Sequence, residues 1–164
     1  MRATIFTTTS CIRQYCRQSA ARAISMAWAA IAHTGTTSET TLATLTLPAN
    51  IMGVNGVVRV MLLWSATNNA NNKTVRFKFG GSTFYAVAIT TGVMCQAIVE
   101  VPNRNNASSQ VGAQSAFNGV GNGGAAVITA AVNTANAVTM LITGELANSA
   151  DTITIEAYSL EVLH

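Results

Sequence analysis

Apolar and polar positions alternate most cleanly over Lys73-Thr-Val-Arg-Phe-Lys-Phe79, where Val75, Phe77 and Phe79 fall on one face and Arg76 and Lys78 on the other. A period of two marks a strand with one buried and one wet face. The run before it, Val57-Val-Arg-Val-Met-Leu-Leu-Trp64, is apolar at nearly every position, with Arg59 its only charge. Such a strand is predicted to sit centrally and to be covered on both sides. Leu47-Pro-Ala-Asn leads into the pair and Asn68-Asn-Ala-Asn-Asn72 separates its members. The two runs and their turns form an antiparallel pair around which the rest of the chain is organised.

The same patterns recur on either side. In residues 40–47 the leucines at 42, 45 and 47 interleave with threonines. Gly80-Gly-Ser reads as a hairpin turn, with residues 83–90 as the returning strand. Residues 93–101, 125–132 and 137–142 (running on towards Glu145) are further strands, and residues 110–117 pair briefly. In the last strand, residues 151–162, strict alternation sets Ile153, Ile155, Ala157 and Ser159 against Thr154, Glu156, Tyr158 and Leu160. About eight or nine short strands with turn signals between them, and no convincing long helix after residue 32, predict an all-β fold. We expect a jelly-roll-like antiparallel β-sandwich, which houses eight strands in two sheets at this length. An immunoglobulin-like sandwich is the rival, but no Cys-Trp-Cys arrangement supports it. No solenoid repeat is visible, and no uninterrupted apolar run reaches the ~20 residues of a membrane span.

The first 32 residues imitate two targeting signals. An Arg-rich, acid-free start resembles a transit peptide, and the apolar residues 23–32, ending Ala30-Ile31-Ala32, resemble a secretory core with its cleavage site. Both predict removal; we expect the segment to be kept as an arm instead. Ile12, Cys16, Ala20, Ala23, Ala27 and Ile31 recur at helical spacing, with Arg13 and Arg17 opposite, while residues 26–33 suit a first strand equally well. The expected organisation is an N-terminal extension over residues 1–25, partly helical, and one β-sandwich domain over 26–164. A hydrophobic arm is costly in water unless it docks, so it is expected on a neighbour.

Composition sharpens this picture. Only 9% of the 164 residues are charged, against a usual ~25%. A polar but uncharged surface points to occupation by copies or partners. The net charge of +3 is unevenly placed, since residues 1–38 hold Arg2, Arg13, Arg17 and Arg22 and no acid. The body lacks the dense Lys/Arg patch with interleaved aromatics of a nucleic-acid binder, so nucleic acid is not an expected partner.

Motif chemistry adds little. Gly119-Val-Gly-Asn-Gly-Gly124 matches G-x-G-x-x-G, but a nucleotide loop needs a strand before it and a helix N-terminus after it, and the flanks favour extended structure. Cys11, Cys16, Cys95, His33 and His164 do not complete a zinc site, so neither metal nor cofactor is expected. Cys95 reads as a small core residue, and Cys11 and Cys16 as thiols of a reducing compartment. The carboxylates Glu39, Glu100, Glu145, Asp151, Glu156 and Glu161 show no spacing that selects a catalytic pair, and no enzyme is expected. Asn72-Lys-Thr and Asn106-Ala-Ser match the glycosylation pattern but mean only exposed loops in a chain this rich in Asn, Ser and Thr. Trp28, Trp64, Phe84 and Tyr85 are expected in the core rather than on a sugar-binding platform.

Thr34-Gly-Thr-Thr-Ser-Glu-Thr-Thr-Leu-Ala-Thr-Leu-Thr-Leu-Pro-Ala-Asn50, Gly53-Val-Asn-Gly56, Leu63-Trp-Ser, Asn68-Asn-Ala-Asn-Asn-Lys-Thr and Phe77-Lys-Phe-Gly-Gly resemble β-sandwich structural proteins of tailed bacteriophages. These are capsid decoration (cement) proteins and tail or appendage modules. The likeness runs from about Met26 to the end and lies in turn patterns and composition. It implies a non-enzymatic viral structural protein of the virion, made in the host cytoplasm. The expected role is capsid decoration on the phage head, as a homo-oligomer (a trimer ahead of a dimer) bridging subunits of the major capsid protein. Ile12, Tyr15, Trp28 and Ile31 are the expected partner contacts. A tail or fibre module, or a carbohydrate-binding β-sandwich, is the alternative.

Overall fold

The computed structural model describes residues 22–27, 29–113, 116 and 123–164. In chain order the strands are β1 (Arg22–Ala27), β2 (Ile31–His33), β3 (Thr40–Leu47), β4 (Val57–Ala66), β5 (Lys73–Phe79) and β6 (Ser82–Ile89). They continue with β7 (Met94–Pro102), β8 (Gln110–Gly112), β9 (Ile128–Ala130), β10 (Val138–Leu146) and β11 (Ile153–Leu163). The described residues include no helix.

The strands form two antiparallel sheets and a small accessory pair. One sheet runs β1-β11-β4-β7 with β2 also paired to β11, the second runs β3-β10-β5-β6, and β8 pairs with β9. Counting β2 as strand 1 and leaving out β8 and β9, the sheets read 1-8-3-6 and 2-7-4-5. That is the order of a jelly roll, with its two interleaved Greek keys. β1 extends the first sheet along β11 beyond β2, so the expected boundary after residue 25 falls inside a strand.

The core follows from the alternation. Val58, Val60, Leu62 and Trp64 of β4 and Cys95, Ala97, Val99 and Val101 of β7 point inward from the first sheet. Leu45, Leu47, Val75, Phe77, Phe79, Met140 and Ile142 meet them from the second. At β5 the alternation is as the sequence predicts, with Val75, Phe77 and Phe79 fully buried and Arg76 and Lys78 outside. The hairpin turn Gly80-Gly81 takes φ of 55° and 88°. Positive φ at both central positions is what a two-residue type I′ turn demands, and glycine meets it without strain.

Three expectations need correction, each for an identifiable reason. The alternation of the last strand changes phase at Glu156, an extra residue in β11 between Ile155↔Trp64 and Ala157↔Leu63. This bulge turns Tyr158, Leu160 and Val162 inward and Ala157 and Ser159 outward, opposite to the strict pattern. The helical spacing does not carry through Ala23, Ala27 and Ile31, which lie in strands because the edge of β11 offers a ladder of hydrogen bonds there. The earlier part of that pattern, residues 12–21, lies outside the described residues. Finally, β4 is central, but the described residues cover it on one side only: Val57, Arg59, Met61 and Leu63 are half-buried on the outer face, with no second layer over them among the described residues.

Candidate functional site

The fold buries several polar side chains. At the far end of β4, the Lys73 side chain is fully buried at the start of β5. Its Nζ donates to Asn69 Oδ1 at 2.9 Å, Asn69 O at 3.2 Å and Thr90 O at 2.7 Å. Asn69 Nδ2 in turn donates to Asp151 Oδ1 at 2.5 Å, and Asn71 Nδ2 to Asp151 Oδ2 at 3.1 Å. Three acceptors satisfy the three ammonium protons, so Lys73 is a tether for the asparagine loop and has no lone pair to offer as a nucleophile. At the other end, Asn103 Nδ2 donates to Gly53 O and Thr134 Oγ1, and Gln110 Nε2 donates to Asn103 Oδ1 at 2.6 Å. These buried amides tie the loops around β8 and β9 to the sandwich.

Within the core, Trp64 Nε1 donates to the Tyr85 hydroxyl at 3.3 Å, and that oxygen lies 3.4 Å from Cys95 Sγ. Burial pushes the Tyr85 phenol well above its ordinary value of 10.0, and the neighbouring thiol adds to the shift. Trp64, Tyr85 and Phe84 are all buried, so none of them serves a sugar-binding platform. Phe84 is the bulge residue of β6 and packs edge-to-face on Phe79, which explains why it and Tyr85 are both buried although adjacent.

On the outer face of the second sheet, Lys78 Nζ meets Glu39 Oε1 at 2.5 Å and Arg76 Nη2 meets Glu145 Oε2 at 2.6 Å. Thr143 Oγ1 donates to Glu39 Oε1 at 2.6 Å. The hydrogen bond from Lys78, then that from Thr143, hold the Glu39 carboxyl below its usual 4.5. Among the described residues no three His, Cys, Asp or Glu side chains gather as a metal site. His33 is buried in β2, and the residues after Gly124 lead into the strand β9. Residues 119–122 of the glycine motif, with Cys11 and Cys16, lie outside the described residues.

What stands out instead is a surface. The outer face of the first sheet brings Met26, Ser159, Met61 and Ile98 into one row across β1, β11, β4 and β7. The next rows on the same face are Ala157, Leu63 and Gln96, then Thr154, Ser65 and Met94. Met26, Met94 and Ile98 are 55%, 55% and 59% exposed. Isolated exposed apolar side chains are ordinary, but apolar side chains from three strands, β1, β4 and β7, grouped on one face with only Ser159 of β11 between them point to an interaction face. Carboxylates border it: Glu161 and Glu100 flank Arg59 in an adjacent row, and Glu156 accepts a hydrogen bond from the Ser65 hydroxyl. Arg59 Nε and Nη2 grip Glu100 Oε1 at 2.9 and 2.8 Å.

Of the expected partner contacts, Ile12, Tyr15 and Trp28 lie outside the described residues. Ile31 is in β2, half-buried against the core and opposite Ile155, so part of its side chain is already engaged in its own domain. Met26, Met61, Leu63, Met94 and Ile98 were not singled out in the sequence. The signal that could have found Met61 and Leu63 was the apolar character of residues 57–64, interrupted only at Arg59.

No protein-family model matches this chain, and no curated protein does. Among solved structures it is similar to dimeric latent PorU from Porphyromonas gingivalis, at 7% identity and a TM-score of 0.43. The likeness covers 82% of this chain and 12% of that one, and at that score it carries no argument about function.

Proposed function

We propose that this chain is a non-enzymatic structural protein that works as a homo-oligomer on a virion, as a decoration protein bridging capsid subunits on a phage head. The observation that carries the assembly part is the uncovered outer face of β4 and its neighbours. An apolar strand needs cover on both sides, and the described residues supply one. The low charge of the sequence supports the same reading, and the turn patterns quoted above support the virion setting. The polar clusters at Lys73 and Asn103 are tethers and those at Glu39 and Arg59 are ion pairs, which suits a mechanical part. Its effect on a shell would be one of linkage, because contacts that form only in the assembled state stabilise that state.

The test is co-sedimentation of purified full-length protein with head shells assembled from the coat protein alone. Saturable binding, together with a raised unfolding temperature of the shell, is the expected result. Binding to tails in place of heads would move the protein to the appendage role, and binding to neither would end the virion reading.

A further inference from the structure

Residues 1–21 and the outer face of the first sheet complement each other in two independent respects. The face offers an apolar row, Met26, Met61 and Ile98, with three carboxylates, Glu100, Glu156 and Glu161, against one guanidinium, Arg59. Residues 1–21 carry Arg2, Arg13 and Arg17 with no acid, and the apolar Ile5, Phe6, Ile12 and Tyr15. Each has the apolar surface and the charge that the other lacks. The segment also continues directly into β1, the strand at the margin of this same sheet. At full extension 21 residues span up to about 70 Å, while four strands are only about 15–20 Å across. Reach is therefore no obstacle, either to the chain's own face or to that of a neighbour.

The sequence decides between those two. From Met1 to Thr34 there is no Gly, Pro, Asn or Asp. A return onto the chain's own sheet needs a reversal just before β1, and of the residues that favour reversals only serine, the weaker turn former, is present there, as Ser10 and Ser19. We infer that residues 1–21 of a neighbouring copy lie across the outer face of the β1-β11-β4-β7 sheet, apolar side chains over Met61 and Ile98 and arginines against Glu100 and Glu161. The inference rests on the assembly reading above, since it needs a second copy. It adds the surface that receives the arm. A contact of this kind joins copies head to tail, each giving its arm to the next and receiving another, so it closes into a ring if the rotation between copies allows.

The experiment places the photo-crosslinker p-benzoylphenylalanine at Ile98, whose exposure makes the replacement benign to folding, in full-length protein. Light and isotopically heavy chains are unfolded together, refolded as a mixture, irradiated and digested, and the crosslinked peptides are identified by mass. The expected products join position 98 to peptides within residues 1–21, with heavy–light pairs as abundant as random mixing allows. The yield should drop several-fold in high salt and in the double variant Arg13→Glu, Arg17→Glu. Products confined to heavy–heavy and light–light pairs would mean that the arm covers its own sheet and would overturn the inference. Crosslinks from position 98 to the same sheet of another copy would overturn it in favour of face-to-face packing, and so would a yield indifferent to the arm's charge. None of these outcomes depends on head shells, so a failure here is distinct from a failure of the co-sedimentation test.

Discussion

At the scale of single residues, this protein spends its buried polar groups on holding loops. Replacing Lys73 by Met would leave Asn69 O, Asn69 Oδ1 and Thr90 O without their ammonium donor. The expected loss is about 2–3 kcal/mol of stability, read as a lower urea midpoint, since buried acceptors left unpaired cost more than the bond itself contributes. Tyr85→Phe removes the acceptor of the Trp64 indole N–H in the core and is expected to cost about 1–3 kcal/mol by the same measurement. The Glu39 carboxyl is held below 4.5 chiefly by Lys78, so the folded state prefers its charged form. That contribution is fully present above the unfolded value of about 4.5 and disappears as the pH falls through the lower folded value. Glu39→Gln should therefore be less stable than the parent near neutral pH, and the gap should close on acidification below 4.5; a gap that stays constant with pH would contradict this origin. None of these partnerships was visible in the sequence. Lys73 is one basic residue in an alternating strand there, and only the fold brings Thr90 O to it and Asp151 to Asn69.

At the scale of elements, legibility was high where one rule acted alone. The bounds of residues 40–47 and 73–79 were readable because threonine or basic positions alternate with Leu, Val and Phe and turn residues end them, while the inward turn of Lys73 was not. The hairpin glycines were readable because two consecutive positive φ values leave few other choices. Legibility failed where a single inserted residue shifted the phase. Deleting Glu156 should confirm that mechanism: without the bulge, either Ile153 and Ile155 or Tyr158, Leu160 and Val162 must face outward, and soluble folded protein is not expected. Glu156→Ala keeps the chain length and loses only the hydrogen bond from Ser65, so it should fold with at most about 1 kcal/mol of loss. Folded yield and thermal unfolding of the two variants distinguish phase from side-chain chemistry. β1 was missed in part because Ala23, Ala27 and Ile31 fit helical spacing as well as a strand. The free edge of β11, a tertiary feature, decided between them.

At the scale of the whole molecule, the jelly roll was readable from the number and spacing of strands, whereas the interaction face was readable only as an unmet need. Residues 57–64 called for cover on two sides, and the described residues cover one of them. Homo-oligomeric assembly through that open side is the central claim. It is tested most directly by native mass spectrometry of the full-length chain beside Ile98→Lys, a substitution at a position that is 59% exposed and contributes nothing to the core. The account expects a defined oligomer for the parent and its collapse to monomer, with an unchanged unfolding temperature for the isolated domain, in the variant. A parent chain that is monomeric at the same concentration, or an oligomer indifferent to a charge at position 98, would contradict it.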